Sequence, residues 1–199
     1  GSLFVGKDIN VDGVRPYIAR IDSDTADGTY GIGEDIDVSV VFNETVTLAG
    51  TIDVELSNGE TVTITGFTGT TGHGTYTVQV GADVHAPTDL NVSDVTLSGT
   101  VTDVPGNTSA ALTLPSGENL ADNRTLYLDG IVPTITSVES TTGPGTYGIG
   151  ASINASVNFS EPVSLAGGDL LVNLETGSAV ADAVVTISSI GGSTASGSF

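Results

Sequence analysis

The chain repeats itself. Gly28-Thr29-Tyr30-Gly31-Ile32-Gly33 returns as Gly145-Thr146-Tyr147-Gly148-Ile149-Gly150, 117 positions on. The flanks repeat too. Ile36, Val38, Val40, Phe42, Glu44, Val46 and Leu48 answer to Ile153, Ala155, Val157, Phe159, Glu161, Val163 and Leu165, and Asp12-Gly13 to Asp129-Gly130. Self-similarity at a long fixed period means tandem modules, each a supersecondary unit built to one plan.

Within a module the pattern is that of strands. Ile36, Val38, Val40 and Phe42 alternate with Asp35, Asp37 and Ser39, the period-2 signature of a half-buried strand. Further strands are expected at Arg15–Ile21, opened by Pro16, and at Thr45–Leu48, Ile52–Leu56 and Thr61–Phe67, with Asn58-Gly59 as a hairpin turn. Gly69–Gly74 reads as a glycine-rich turn before a strand Thr75–Val80. Gly81–Asp89 reads as a loop, Leu90–Val101 as a strand broken at Gly99, and Ala111–Leu114 and Thr125–Leu128 as the closing strands around a polar loop Pro115–Asn123. No helix is expected. Short strands with turns at regular spacing predict an all-β fold of two-sheet sandwiches.

The resulting organisation is residues 1–14 as the last strand of a preceding repeat, 15–130 as a complete sandwich, and 131–199 as a second, incomplete one. Module two keeps step through Gly167. Gly197-Ser198-Phe199 then answers to Gly74-Thr75-Tyr76, and counterparts of later module-one strands do not follow. The expectation is a fragment of a longer chain, in preference to completion of module two by another chain.

Composition narrows function. Twenty-four acidic residues against four basic ones give a net charge of −20, which disfavours nucleic acid and anionic membrane as partners. No stretch is apolar over the length of a membrane span, so membrane insertion is not expected of this segment. There is no cysteine, hence no disulfide, thiolate metal site or thiol nucleophile. His73 and His85 alone do not make a zinc site. Asp35 and Asp37 alternate on one exposed strand face with no pocket implied, no Gly-x-Ser-x-Gly elbow accompanies the serines, and Gly28–Gly33 leads into a strand without the lysine of a phosphate loop. A non-enzyme is expected. The acidic, lysine-poor, cysteine-free, threonine-rich composition suits an extracellular, cell-surface protein.

Several stretches together resemble a known family. They are Asp27–Val46 with its Tyr-Gly-Ile-Gly start, Val101-Thr102-Asp103-Val104-Pro105-Gly106-Asn107, Leu112-Thr113-Leu114-Pro115 and Leu126–Pro133. In order and spacing the chain is similar to the bacterial immunoglobulin-like or cadherin-like tandem repeats of large surface proteins and adhesins. Asn43 stands where that family usually has serine, and Pro105 where it has alanine. The resemblance implies tandem immunoglobulin-like β-sandwiches, the second incomplete, serving as an extracellular spacer stiffened by Ca²⁺. Calcium takes six to eight oxygens gathered by turns. Oxygen-bearing positions that recur between modules are Asp12/Asp129 and Glu44/Glu161. Asp103 and Asn107 lie in a loop able to reach the same end, and Asp22, Asp24 and Asp27 form a denser group that does not recur. The same acids are also what solvated turns select, since aspartate caps turns through local hydrogen bonds.

Six Asn-x-Ser/Thr sequons occur, at Asn43, Asn91, Asn107, Asn123, Asn154 and Asn158, as candidate glycosylation acceptors. Tyr30, Tyr127 and Tyr147 are candidate sugar-stacking rings, though Tyr30 and Tyr147 recur at one module position and read as packing residues. Two function classes follow. One is a structural repeat of an adhesin, fibre or surface layer, whose partners are adjacent repeats and like subunits. The other is a glycan-binding module, weakened by the absence of tryptophan.

Overall fold

A computed structural model describes residues 10–109, 111–175 and 182–199 of the chain. The expected strand at Leu3–Val11 lies mostly outside these. Asn10 and Val11, its described residues, are exposed and in no strand. The chain divides into two compact units, Gly1–Ile131 and Val132–Phe199.

Unit 1 is organised by one strand. After β1 (Ile18–Asp22) and β2 (Gly28–Gly31) comes β3, which runs unbroken from Asp35 to Leu56. The three separate strands expected across this stretch are one. The inward residues explain why. Ile36, Val38, Val40, Phe42, Val46, Leu48, Ile52, Val54 and Leu56 are all buried and all share one parity, so a single period-2 pattern persists across the polar interruption. The first part of β3 pairs with β1 and with β5 (Thr68–Thr77); the later part pairs with β4 (Thr61–Thr65) and β7 (Val92–Asp103). Every one of these pairings is antiparallel. A second sheet sets β2 parallel to β8 (Leu126–Asp129), which also meets the two-residue β6 (Asp83–Val84). One hydrophobic cluster fills the unit, with Leu90, Leu120, Leu126 and Leu128 closing it.

Several sequence expectations are corrected, among them the strand at Ala111–Leu114, which is in no strand. Gly69–Gly74 is strand, not turn. Gly72 and Gly74 are there for clearance: a Cβ on Gly72 would strike the Phe67 ring, and one on Gly74 would strike Val62. The strand stops at Thr77, and Val80, expected on its inward face, is exposed. Strand β7 is not broken at Gly99. Gly99 sits directly opposite Gly50, both with positive φ (137° and 122°), and a Cβ on either would strike the carbonyl oxygen of Ser98 or Ala49 across the ladder. Glycine at both positions lets the two backbones meet. The loop Pro115–Asn123 contains a one-turn helix, α1 (Leu120–Asn123). Asn119 caps it with its side chain, and Asp122 returns a bond to the Asn119 N–H.

Unit 2 repeats the plan in part. Strand β10 (Asn154–Ser164) pairs with β9 (Ile135–Glu139) and β13 (Gly191–Ser198), while β11 (Leu170–Leu174) pairs with β12 (Ala183–Ile187). Its core is small: Ala155, Val157, Val185, Ile187 and Ala195. Ile135 and Val138, counterparts of the fully covered Ile18 and Ile21, are about half exposed at 55% and 54%.

Gly99→Ala should cost unit 1 about 2–4 kcal/mol, because it adds positive-φ strain to a backbone clash. Ser98→Ala, one residue away and exposed, should stay within about 0.5 kcal/mol. Urea melts followed by tyrosine fluorescence measure both, and equal midpoints would refute the close-approach argument.

Candidate functional site

The turn Asp22–Gly28 holds three of the candidate ligands, and its geometry separates them. Ser23 Oγ donates to the Asp37 carbonyl (2.6 Å) and accepts the Thr25 N–H (3.0 Å), while Thr25 Oγ1 accepts the Asp37 N–H (2.8 Å). Two hydroxyls thus clasp the turn to the start of β3. Unit 2 carries the same clasp. Ser140 Oγ bonds the Asn154 carbonyl (2.6 Å) and the Thr142 N–H (3.1 Å), and Thr142 Oγ1 accepts the Asn154 N–H (2.9 Å). The three acids of the turn point apart. Asp22 is gripped by Arg20 and Arg124, each at 3.0 Å. Asp27 accepts the Thr125 N–H at 3.1 Å. Asp24 lies instead near Asp37 and His73, whose Nδ1 is 3.0 Å from Asp37 Oδ1 and 4.0 Å from Asp24 Oδ2. The Asp24–Asp37–His73 convergence joins β3 to β5 and was not legible in the sequence, since it needs the glycine-rich run to be strand.

A different set of candidate ligands does come together. Carboxylate oxygens of Asp12, Glu44 and Asp103 all lie within 4.8 Å of one another. Each is placed by a distinct device. Glu44 has the inward parity of β3, but it falls where the pairing with β5 breaks register between Val41 and Val46, which frees it from the core. Asp103 ends β7 and is 7% exposed. Its Oδ1 accepts the N–H groups of Gly106 (2.8 Å) and Asn107 (2.6 Å), and its Oδ2 accepts Asn107 Nδ2 (2.6 Å). Asp12 turns back on itself, its Oδ1 accepting the Val14 N–H at 3.0 Å. Asn107 Nδ2 also faces the carbonyls of Asp12 and Val14 at 3.3 and 3.2 Å, tying the Asp12 segment to the Asp103 turn. Three carboxylates form a hard oxygen set, a chemistry that fits Ca²⁺.

Asp129 and Glu161 belong to different units. Asp129 is exposed on β8 and accepts the Ile131 N–H at 3.3 Å. Glu161 on β10 sits in the same register break as Glu44, between Asn158 and Val163. Its Oε1 is shielded from solvent and lacks a hydrogen-bond partner among the described residues.

The sequon asparagines are structural. Asn43, Asn107, Asn123, Asn154 and Asn158 each donate Nδ2 to a protein acceptor, and the Asn91 side chain accepts the Val92 and Ala121 N–H groups. Asn43 Oδ1 accepts the Tyr17 N–H (2.7 Å) and Ser160 Oγ accepts the Thr134 N–H (2.9 Å), so asparagine and serine do one job at equivalent places. Tyr30 and Tyr147 each donate to a carbonyl four residues back, on Ala26 and Gly143. Tyr127 is engaged by Asp89: local desolvation first, then the Asp89 bond and charge, raise its pKa. An open cleft of about 690 Å³ lies nearby, lined by Ser57, Asn58, Asp83, His85, Asp89 and Asn91 among others. His85 in it pairs with Asp83 at 3.1 Å. No family model matches the chain, and no curated protein matches it significantly.

Partial burial on its own would push the Asp22 carboxyl up. The Ser23 N–H, the Arg20 bond and the charges of Arg124 and Arg20 outweigh this and hold it below its ordinary 3.8. A depressed carboxylate contributes stability that is present above the unfolded pKa and lost as pH falls through the folded one. Asp22→Asn should therefore cost about 1 kcal/mol at pH 7. The gap should close as pH drops from near 5 to below 3.8. Melts of both proteins across that window check it, and a pH-independent gap would refute the ion-pair account.

Proposed function

We propose that the chain is a structural repeat segment of an extracellular, cell-surface protein, akin to the bacterial immunoglobulin-like or cadherin-like repeats of adhesins. In this reading it is a non-catalytic spacer in a rod, fibre or surface layer. The observation that carries it is the recurrence of the same framework in both units: hydroxyl clasp, tyrosine-to-carbonyl bond, register break with its glutamate, and the Asn43 or Ser160 contact. Duplicated parts here are those that build a sandwich, while the acids that differ are engaged as surface ion pairs and caps. The paired carboxylates of β3 favour no hydrolytic reading, because Asp35 takes the Thr77 hydroxyl and Asp37 takes His73 and the Asp24 N–H.

Ca²⁺ would be held by Asp12, Glu44 and Asp103, with the carbonyls of Asp12 and Val14 close by. It would cross-link the segment before β1 to the ends of β3 and β7, stiffening that end of unit 1. Calcium at about a hundredfold excess over its Kd should stabilise unit 1 by about 2.7 kcal/mol, a rise of about 8–16 °C in midpoint. Chelator should reverse the rise, and Glu44→Gln should abolish it without lowering the calcium-free midpoint by more than about 2 °C. An unchanged midpoint would remove calcium from the reading. A glycan array probed with the full chain tests the spacer role itself: clean, selective binding would replace it with the glycan-binding one, the cleft at His85 being then the place to look.

A further inference from the structure

We infer that Asp24, Asp37 and His73 form a binding site for a divalent first-row transition ion such as Zn²⁺. The repeat carries the argument. Unit 2 builds the same corner with Thr141, Asn154 and Ser196 at the three equivalent places. Ser196 lies opposite Ser156 across β13 and β10, as His73 lies opposite Ser39 across β5 and β3. There Thr141 Oγ1 donates to Asn154 Oδ1 at 3.1 Å, and the hydroxyl clasp around the pair is intact. The corner therefore needs neither carboxylates nor imidazole to fold. In unit 1 two carboxylates are nevertheless brought together, on a molecule of charge −20. Like-charge repulsion disfavours that arrangement unless a cation offsets it.

The ligand atoms are preset. Asp24 sits between the two clasp residues, and its N–H donates to Asp37 Oδ2 at 3.0 Å, so the bonds that hold the turn also orient the Asp37 carboxylate. His73 is the diagonal neighbour of Asp37 across the β3–β5 ladder, within reach of a long side chain. Its Nδ1 is 3.0 Å from Asp37 Oδ1 and 4.0 Å from Asp24 Oδ2. Zinc bonds to nitrogen and carboxylate oxygen are about 2.0–2.2 Å long, so two ligands of one ion lie no more than about 4.4 Å apart. Both distances pass. The two carboxylates come within 4.8 Å of each other, and the Asp24 side chain, 82% exposed, closes the remainder by rotation. The ion would replace the proton between Nδ1 and Oδ1 and leave its outward positions to water. An imidazole nitrogen favours Zn²⁺, Ni²⁺ or Cu²⁺ over Ca²⁺ and Mg²⁺, which separates this site from the carboxylates of Asp12, Glu44 and Asp103.

The test is calorimetric titration of the full chain with Zn²⁺ in about 0.5 M salt, where diffuse attraction to the protein's charge is screened within roughly 4 Å. One Zn²⁺ should bind with saturation. His73→Ala should weaken it by at least about 100-fold, and Asp24→Thr, which installs the unit 2 residue, by at least about 10-fold. The metal-free melting midpoint of Asp24→Thr should stay within about 2 °C of the parent, so a lost ligand is told from a lost fold. His85→Ala removes the histidine with a single carboxylate partner and should change nothing. In nitrogen NMR, Zn²⁺ should shift His73 Nδ1 and leave His85 in place. Absence of saturable binding would overturn the inference, as would binding that survives His73→Ala or Ca²⁺ competing on equal terms. The calcium proposal stands or falls separately, because Glu44→Gln should remove the calcium response and leave Zn²⁺ binding unchanged. None of these results bears on the spacer reading.

Discussion

Ala49-Gly50 and Ser98-Gly99 lie backbone against backbone, with no room for a side chain at either glycine. Much of unit 1 depends on that contact. It lets β3 continue past Phe42 and take β7 as a partner over the span from Val46 to Leu56. The strand can then serve β1 and β5 with its first part and β4 and β7 with its second. A core assembled around one chain segment needs that segment to keep its inward parity, and β3 does so from Ile36 to Leu56. The cost falls on sequence choice. Two positions in mid-strand are given to the residue that is otherwise among the least suited to strands.

This is also where reading from sequence fails. Alternation in Asp35–Phe42 and the 117-residue period are local or self-referential signals, and they suffice for the all-β character. Glycine is ambiguous. At Gly69–Gly74 and at Gly99 it looks like a breaker, because breaking is its average behaviour. Whether a glycine ends a strand or admits a neighbour is decided by what lies across the ladder: Phe67 and Val62 in one case, Ala49 in the other. Those neighbours all lie outside the glycine's own strand. The short helix at Leu120–Asn123 was missed for a different reason. One turn has no periodicity to detect, and its Asn119–Asp122 capping pair is a weak pattern without an apolar run behind it.

The acids show the same division. Recurrence between modules picked out Asp12 and Glu44, and the turn after β7 picked out Asp103; these meet in space. Density along the chain picked out Asp22, Asp24 and Asp27, which disperse to two arginines, a histidine corner and a backbone N–H. Closeness in sequence within a tight turn fans side chains outward, whereas positions at the ends of different strands are brought together by the sheet. The short Ser-x-Thr element inside that turn carries no charge and no periodicity to mark it in the sequence, yet it is the part that both units keep.

That element has an implication for the medium in which such a chain can work. All three of its bonds run between hydroxyls and peptide groups, none of which titrates near neutrality or attracts counterions. A molecule with so lopsided a charge has a surface whose energetics swing with every change of salinity. The corner that starts each unit's long strand is fastened by groups indifferent to it. At low salt or high, the surface can rearrange its cloud of cations while the fold's first turn stays put.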